Sequence, residues 1–225
     1  MWMAHQRTKS TVGYPDAHKE KDFFKTDAYL GGEYRPNVPT DLSQKQMCEW
    51  VCFDAMDAMN NWTARTGLKP KFLVAATDTY MKYPDDDVYP EEYANYVKLE
   101  KTPTYKEGWS KLSEALRAGQ FFVTSGEVLF KQFSVEGNGN QRNIVADVEW
   151  TFPLDFVEVV WGDGQKTGRQ IISTSELGVF GSKRFSIPFD ATGKDWVRVS
   201  AWDVAANGAF TQPVRLTSTT TTASR

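Results

Sequence analysis

The clearest periodic pattern in the chain runs over residues 43–65. Met47, Trp50, Val51, Ala55, Ala58, Met59 and Trp62 recur at three- and four-residue steps and would form one apolar stripe on a helix. Ser43 followed by Gln46 has capping-box spacing, and Gly67 and Pro70 close the segment. Lys71 to Thr77 is a short continuous apolar run, which predicts a strand buried on both faces. Trp109 to Ala118 predicts a second helix ended by Gly119, and Phe121 to Thr124 a second buried strand. Helix, strand, loop, helix, strand is the rhythm of an α/β layer.

The pattern changes near residue 128. From Val145 to Thr151 polarity alternates, with Ala146, Val148 and Trp150 on one face and Asp147 and Glu149 on the other. Val157, Val159 and Trp161 share a face before a Gly162-Asp163-Gly164 turn; Phe185, Ile187 and Phe189 share another, as do Val197, Val199 and Ala201. About seven short strands separated by Gly, Asn and Asp turns predict an antiparallel β-sandwich. Residues 5–41 show no period and are rich in Gly, Pro, Asp, Thr and Tyr, which reads as a long loop with short helical pieces. Thr217 to Arg225 is low-complexity and reads as a disordered tail. The expected division is therefore an α/β region over 1–127, a sandwich over 128–217 and a tail over 218–225.

Composition narrows the functional classes. The chain has 225 residues, with 40% hydrophobic and 24% charged, within the globular range. Eight Trp, nine Tyr and fourteen Phe supply ample core material. The net charge of −3 falls on residues 1–127 and the remainder is balanced, so neither half is basic. That argues against nucleic acid or an anionic membrane surface as the main partner. No apolar run is long enough to span a bilayer. The compartment stays open: low cysteine use fits a reducing one, and many exported proteins also lack disulfides. Cys48 and Cys52 lie four apart on one predicted helix face, too few for a structural zinc site, and read as small buried residues. The Met1-Trp2-Met3-Ala4 start has no signal-peptide pattern and reads as the end of a strand feeding a loop, as if the chain began inside a larger fold.

Candidate chemistry is sparse. His5 stands at that strand end, with Arg7 and Lys9 two and four residues on. Imidazole can ligate a metal, and a guanidinium suits an oxyanion; the plain alternative is a surface histidine in a basic loop. His18 lies in an ordinary polar loop. Asp78 follows the buried run at its carboxyl end, where α/β folds gather functional groups, though a turn or helix-cap aspartate fits equally. Asp85-Asp86-Asp87 reads as solvated loop charge and Glu127 as a turn residue. No phosphate-cradling glycine loop, nucleophile elbow or dinucleotide fingerprint occurs.

Several segments resemble a known family in order along the chain. His5-Gln6-Arg7-Thr8-Lys9 to Gly13-Tyr14-Pro15-Asp16 resembles an HPRTK…GYPDA segment, and Asp57-Ala58-Met59-Asn60-Asn61-Trp62 resembles DDMNNW. Ala76-Thr77-Asp78-Thr79-Tyr80 is similar to ATDTF. Gly119 to Glu127 is similar to GRFFVTTGE, and Trp202 to Pro213 to WDIAANGAFTQP. The series resembles PHP-type (polymerase and histidinol phosphatase) metallohydrolases of the CehA/McbA-like branch, over residues 2–216.

The resemblance implies an incomplete PHP-like β/α barrel followed by the antiparallel sandwich. It implies hydrolysis of a small-molecule phosphoester, ester or carbamate by water activated on zinc, manganese or iron. By the same resemblance His5 and Asp78 would be metal ligands, and Arg7 and Lys9 would bind the substrate oxyanion. Two features depart from the pattern. The opening His-x-His is absent, and Tyr80 stands where the closing Asp-x-His has its histidine. Two ligands are fewer than a catalytic zinc normally takes, so the expectation is a carboxyl-terminal portion that self-associates through exposed strand edges. The rival reading is a non-catalytic binding or structural protein whose sandwich grips a glycan on aromatics such as Trp196 or Trp202.

Overall fold

A computed structural model describes residues 1–3, 21–34, 52–75 and 93–216. Within them the strands are β1 (Trp2–Met3), β2 (Gly31–Tyr34), β3 (Phe72–Ala75), β4 (Ala94–Val97), β5 (Phe121–Thr124), β6 (Val128–Glu136) and β7 (Gln141–Trp150). They continue as β8 (Leu154–Gly162), β9 (Thr167–Ser173), β10 (Gly181–Asp190), β11 (Trp196–Asp203), β12 (Gly208–Thr211) and β13 (Val214–Arg215). The helices are α1 (Cys52–Thr66) and α2 (Ser110–Arg117). Short 3-10 turns lie at Asp22–Lys25 and Tyr105–Glu107.

The expected β/α barrel is not present. Among the described residues 46% are in strands and 18% in helices, and the strands form three separate sheets, none of them closed. The first sheet is parallel, in the order β1-β2-β3. The second is antiparallel, β10-β7-β6. The third runs β4-β5-β12-β11-β8-β9, with β13 also pairing β11. The barrel expectation treated every strand before residue 127 as part of one parallel layer. The hydrogen bonds show otherwise: β5 pairs antiparallel with β4 and with β12, so both strands belong to the sheet built by β8, β9 and β11.

Two of these sheets face each other. Val128, Phe130, Ile144, Ala146, Val148, Phe185, Ile187 and Phe189 point from the three-stranded antiparallel sheet into one core. They meet Val157, Val159, Val197, Val199 and Ala201 of the large sheet. Each fully buried side chain of this kind contributes roughly 1.5–3 kcal/mol. The period of two then places Phe156, Glu158 and Val160 of β8, and Trp196, Arg198, Ser200 and Trp202 of β11, on the opposite face.

That opposite face is covered, by α1 and the parallel sheet. Phe53 and Met56 of α1, with Phe72 and Leu73 of β3, pack on Trp202, Phe210, Phe121 and Val123. Phe53 sets its ring edge-on to Trp202 and to Phe210, at centroid separations of 6.2 and 4.9 Å. On its other side α1 presents Ala55 and Met59 to Phe24 and Tyr29. The helix is thus enclosed on nearly every side, and Asp57, Asn60, Asn61 and Thr63 are buried with its apolar residues. Ala58 of the expected stripe is exposed instead, and Trp62 half-buried. Gly31 keeps β2 close to β3: it sits at φ +145°, and a Cβ there would lie 1.9 Å from the Phe72 carbonyl oxygen.

Candidate functional site

The parallel sheet defines one end of the molecule chemically. Met3 is level with Gly32, which is level with Leu73, so β1, β2 and β3 all finish on the same edge. His5, Arg7 and Lys9 follow β1 and Asp78 follows β3; all four lie outside the described residues, as do His18, Cys48 and Asp85-Asp86-Asp87. Among the described residues no three His, Cys, Asp or Glu side chains are grouped to hold a metal ion. Glu127 is half-buried at the β5–β6 connection, where its carbonyl accepts the Thr151 N–H.

Beneath α1 a polar seam joins the helix to the large sheet. Asp57 and Arg198 form a buried two-pronged pair: Nε donates to Oδ1 at 3.0 Å and Nη2 to Oδ2 at 2.9 Å. The guanidinium lies 4.7 Å from the centre of the Phe53 ring. Its Nη1 donates to Ser200 Oγ at 3.3 Å, and Ser200 in turn donates to Glu158 Oε1 at 2.8 Å. Glu158 is fully buried, and its second oxygen lies 3.8 Å from Arg169 on β9. Burial pushes the Asp57 carboxyl upward while Arg198 pulls it down. Burial opposes the charge on Arg198, but the carboxylates around it, Asp57 foremost and then Glu158 and Asp54, raise its pKa overall.

One turn further along α1, Asn61 Oδ1 accepts from Trp196 Nε1 at 2.9 Å and from Gly164 N at 3.3 Å. Gly162 makes this possible, since a Cβ there would lie 1.9 Å from Asn61 Oδ1 and 2.2 Å from Trp196 Nε1. Asn60 binds both backbone polar groups of Lys71, accepting its N–H at 3.0 Å and donating to its carbonyl at 2.9 Å. At the helix end Arg215 donates to the Asn60 carbonyl and to Thr63 Oγ1.

Lys71 is itself unusual. It is 2% exposed, with Nζ donating to the Tyr29 carbonyl at 2.6 Å and lying 5.0 Å from the centre of the Tyr29 ring. Burial lowers its pKa to about 8 from the ordinary 10.5, against a pull from Asp27.

Between α1 and the β8–β9 hairpin lies a cavity of about 470 Å³. Asp54, Asp57, Ala58 and Asn61 line it from the helix, and Gln165, Lys166, Thr167 and Arg169 from the hairpin. The helix residues stand at steps of three and four, so one helical face forms the wall. Two of its lining residues pair with each other: Asn61 Nδ2 donates to Thr167 Oγ1 at 3.4 Å.

The two tryptophans considered for sugar stacking are not available for it. Trp196 and Trp202 are both 0% exposed, enclosed between the large sheet and α1. The seam residues escaped sequence reading because an alternating strand shows which side chains share a face, not whether that face meets water. Two signals were present: Glu158 inside the run Val157 to Trp161, and Asp57, Asn60 and Asn61 at helical spacing. Compared with protein families, curated proteins and solved structures, the chain matches none.

Proposed function

We propose that the chain is a metal-dependent hydrolase whose chemistry sits at the carboxyl edge of the β1-β2-β3 sheet. The carrying observation is the parallel register that puts Met3, Gly32 and Leu73 on one level. Adjacent strands are about 4.8 Å apart, so Met3 and Leu73 lie roughly 10 Å from each other, and β3 runs two residues further. His5 is two residues beyond β1 and Asp78 three beyond β3, and a residue reaches at most ~3.5 Å, so both are tethered to that edge. Functional groups of parallel sheets collect at this end.

An imidazole and a carboxylate make a suitable partial donor set for zinc, manganese or iron. When bound there, the ion supplies a water of lowered pKa. In this reading His5 and Asp78 hold the ion. Arg7 and Lys9, two and four residues beyond His5, orient the oxyanion of a phosphoester, ester or carbamate. Asn60 of α1 holds Lys71 at the entry to β3, and Asn95 holds Ala75, its last residue, three positions before Asp78.

The test is metal analysis and ester hydrolysis on the full chain, purified without chelator. The expected result is about one equivalent or more of zinc, manganese or iron, with metal and turnover both lost in His5→Ala and Asp78→Ala. Metal content and hydrolysis unchanged in both variants would overturn the reading.

A further inference from the structure

We infer that the open edge of β9 pairs antiparallel with β9 of a second copy of this chain, joining two large sheets into one across a twofold axis. The inference is independent of the hydrolytic reading, which concerns another sheet. β9 ends the large sheet and pairs only with β8. Alternate residues of an edge strand turn their N–H and C=O groups away from the one neighbour they have. Among the described residues nothing bonds to those outward backbone groups of β9. Such an edge is a template for a further strand, and the other outer strands carry the features that discourage one. β10 contains Pro188 and Lys183. β6 has a register shift between Phe130 and Gln132. β1 and β4 are two and four residues long, and the outer edge of β3 is closed by Gln212 and Asn95. β9 runs seven residues in unbroken register with β8 and contains neither proline nor lysine.

The sequence of β9 is complementary to itself in one register. A twofold axis that continues the sheet sets one residue opposite its own copy. With Gln170 on the axis all seven residues are used: Thr167 meets Ser173 of the second copy, Gly168 meets Ile172, and Arg169 meets Ile171. The single charge of the strand then faces an apolar side chain. The Arg169 stem covers Ile171 of the second copy, which is 50% exposed in one chain alone. Its guanidinium keeps the buried carboxylate of Glu158, 3.8 Å away, as counter-charge. An axis through Arg169 would oppose two guanidiniums, which repel, and an axis through Ile171 would shorten the ladder to five residues. A seven-residue ladder is a small interface, at the low end of the ~1,200–2,000 Å² that stable pairs bury, so monomer and dimer exchange with concentration.

The experiment is sedimentation velocity on the full chain from about 5 to 500 µM. The average mass should rise with concentration towards twice that of one chain. Ile171→Lys sets an ammonium opposite Arg169 of the second copy, and beside Glu158 of its own chain, its partner on β8. It should weaken association by about tenfold or more and leave thermal unfolding of the monomer unchanged. Gln170→Cys reads the register: mild oxidation should link two copies through position 170, above the background set by Cys48 and Cys52 in the unsubstituted chain. Ser173→Cys, which the axis places opposite Thr167, should stay at that background. The inference is overturned by a chain that remains monomeric throughout, as an edge kept for a foreign extended peptide would give. Association that Ile171→Lys leaves unchanged, or equal linking of the two cysteine variants, would also overturn it.

Discussion

Gln212 completes the open edge of β3 by pairing with Leu73 as a neighbouring strand would. Its Nε2 donates to the Leu73 carbonyl at 2.8 Å and its Oε1 accepts the Leu73 N–H at 2.9 Å. Two residues on, Asn95 repeats the arrangement with Ala75, at 3.3 and 2.8 Å. Successive odd positions of a strand present their backbone groups to the same side, so two carboxamides stand in for one ladder. Gln212→Leu keeps the bulk and strands a buried donor and acceptor. It should cost about 2–4 kcal/mol, read by denaturant unfolding, with faster exchange of the Leu73 amide hydrogen.

The Asp57–Arg198 pair should behave as a unit. Removing one partner leaves the other charged and buried, so Asp57→Asn or Arg198→Met should each cost about 3–5 kcal/mol. The double variant Asp57→Asn with Arg198→Met should be less destabilised than the sum of the two single changes. A double-mutant cycle in urea measures this; additive losses would show that the pair does not act together.

Gly162→Ala tests the approach of α1 to the large sheet. The new methyl must displace Asn61 Oδ1 and the Trp196 indole, both within 2.2 Å of it. Overpacking of this kind costs about 1–3 kcal/mol, which should lower the melting temperature by several degrees. Pairing it with Asn61→Ala, which vacates the space, should recover part of the loss.

Lys71 predicts a particular pH dependence. Its folded pKa, about 8, lies below the ordinary 10.5, so the unfolded chain holds the proton more strongly. The fold therefore gains stability from this group as pH rises from about 8 towards 10.5, and below 8 the penalty is constant. The full gain is at most ~3 kcal/mol. Asp27 and Lys69 are the charged neighbours that modulate it. Lys71→Met should abolish that slope, seen as a converging difference in unfolding free energy between the two proteins across this range.

Much of the element pattern was readable in the residues. The runs at 71–77, 109–118 and 121–124 contain β3, α2 and β5, and the alternating sets at 145, 157, 185 and 197 fall inside β7, β8, β10 and β11. The assembly was not readable. Asn95 and Tyr96 of β4 sit in a polar stretch, and only pairing with β5 makes them a strand. Arg198 and Ser200 alternate with Val197 and Val199 and look solvent-facing until α1 covers them. Asn60 and Asn61 look like the wet side of a helix, yet both are buried because each carboxamide finds partners on another element. Propensity and period are local quantities, whereas burial of a polar group is decided by distant partners.

The distance along the chain between those partners has a consequence for how the protein is made. Asp57 waits for Arg198, 141 positions later, Asn61 for Trp196, 135 later, and Leu73 for Gln212, 139 later. At ~5–20 residues per second a ribosome takes on the order of ten seconds to cover that stretch. Throughout that interval α1 and β3 are outside the exit tunnel without the groups that neutralise and seal them. The amino-terminal layer is synthesised first and secured last, and a chain that stalls before residue 212 carries an open strand edge into the cell.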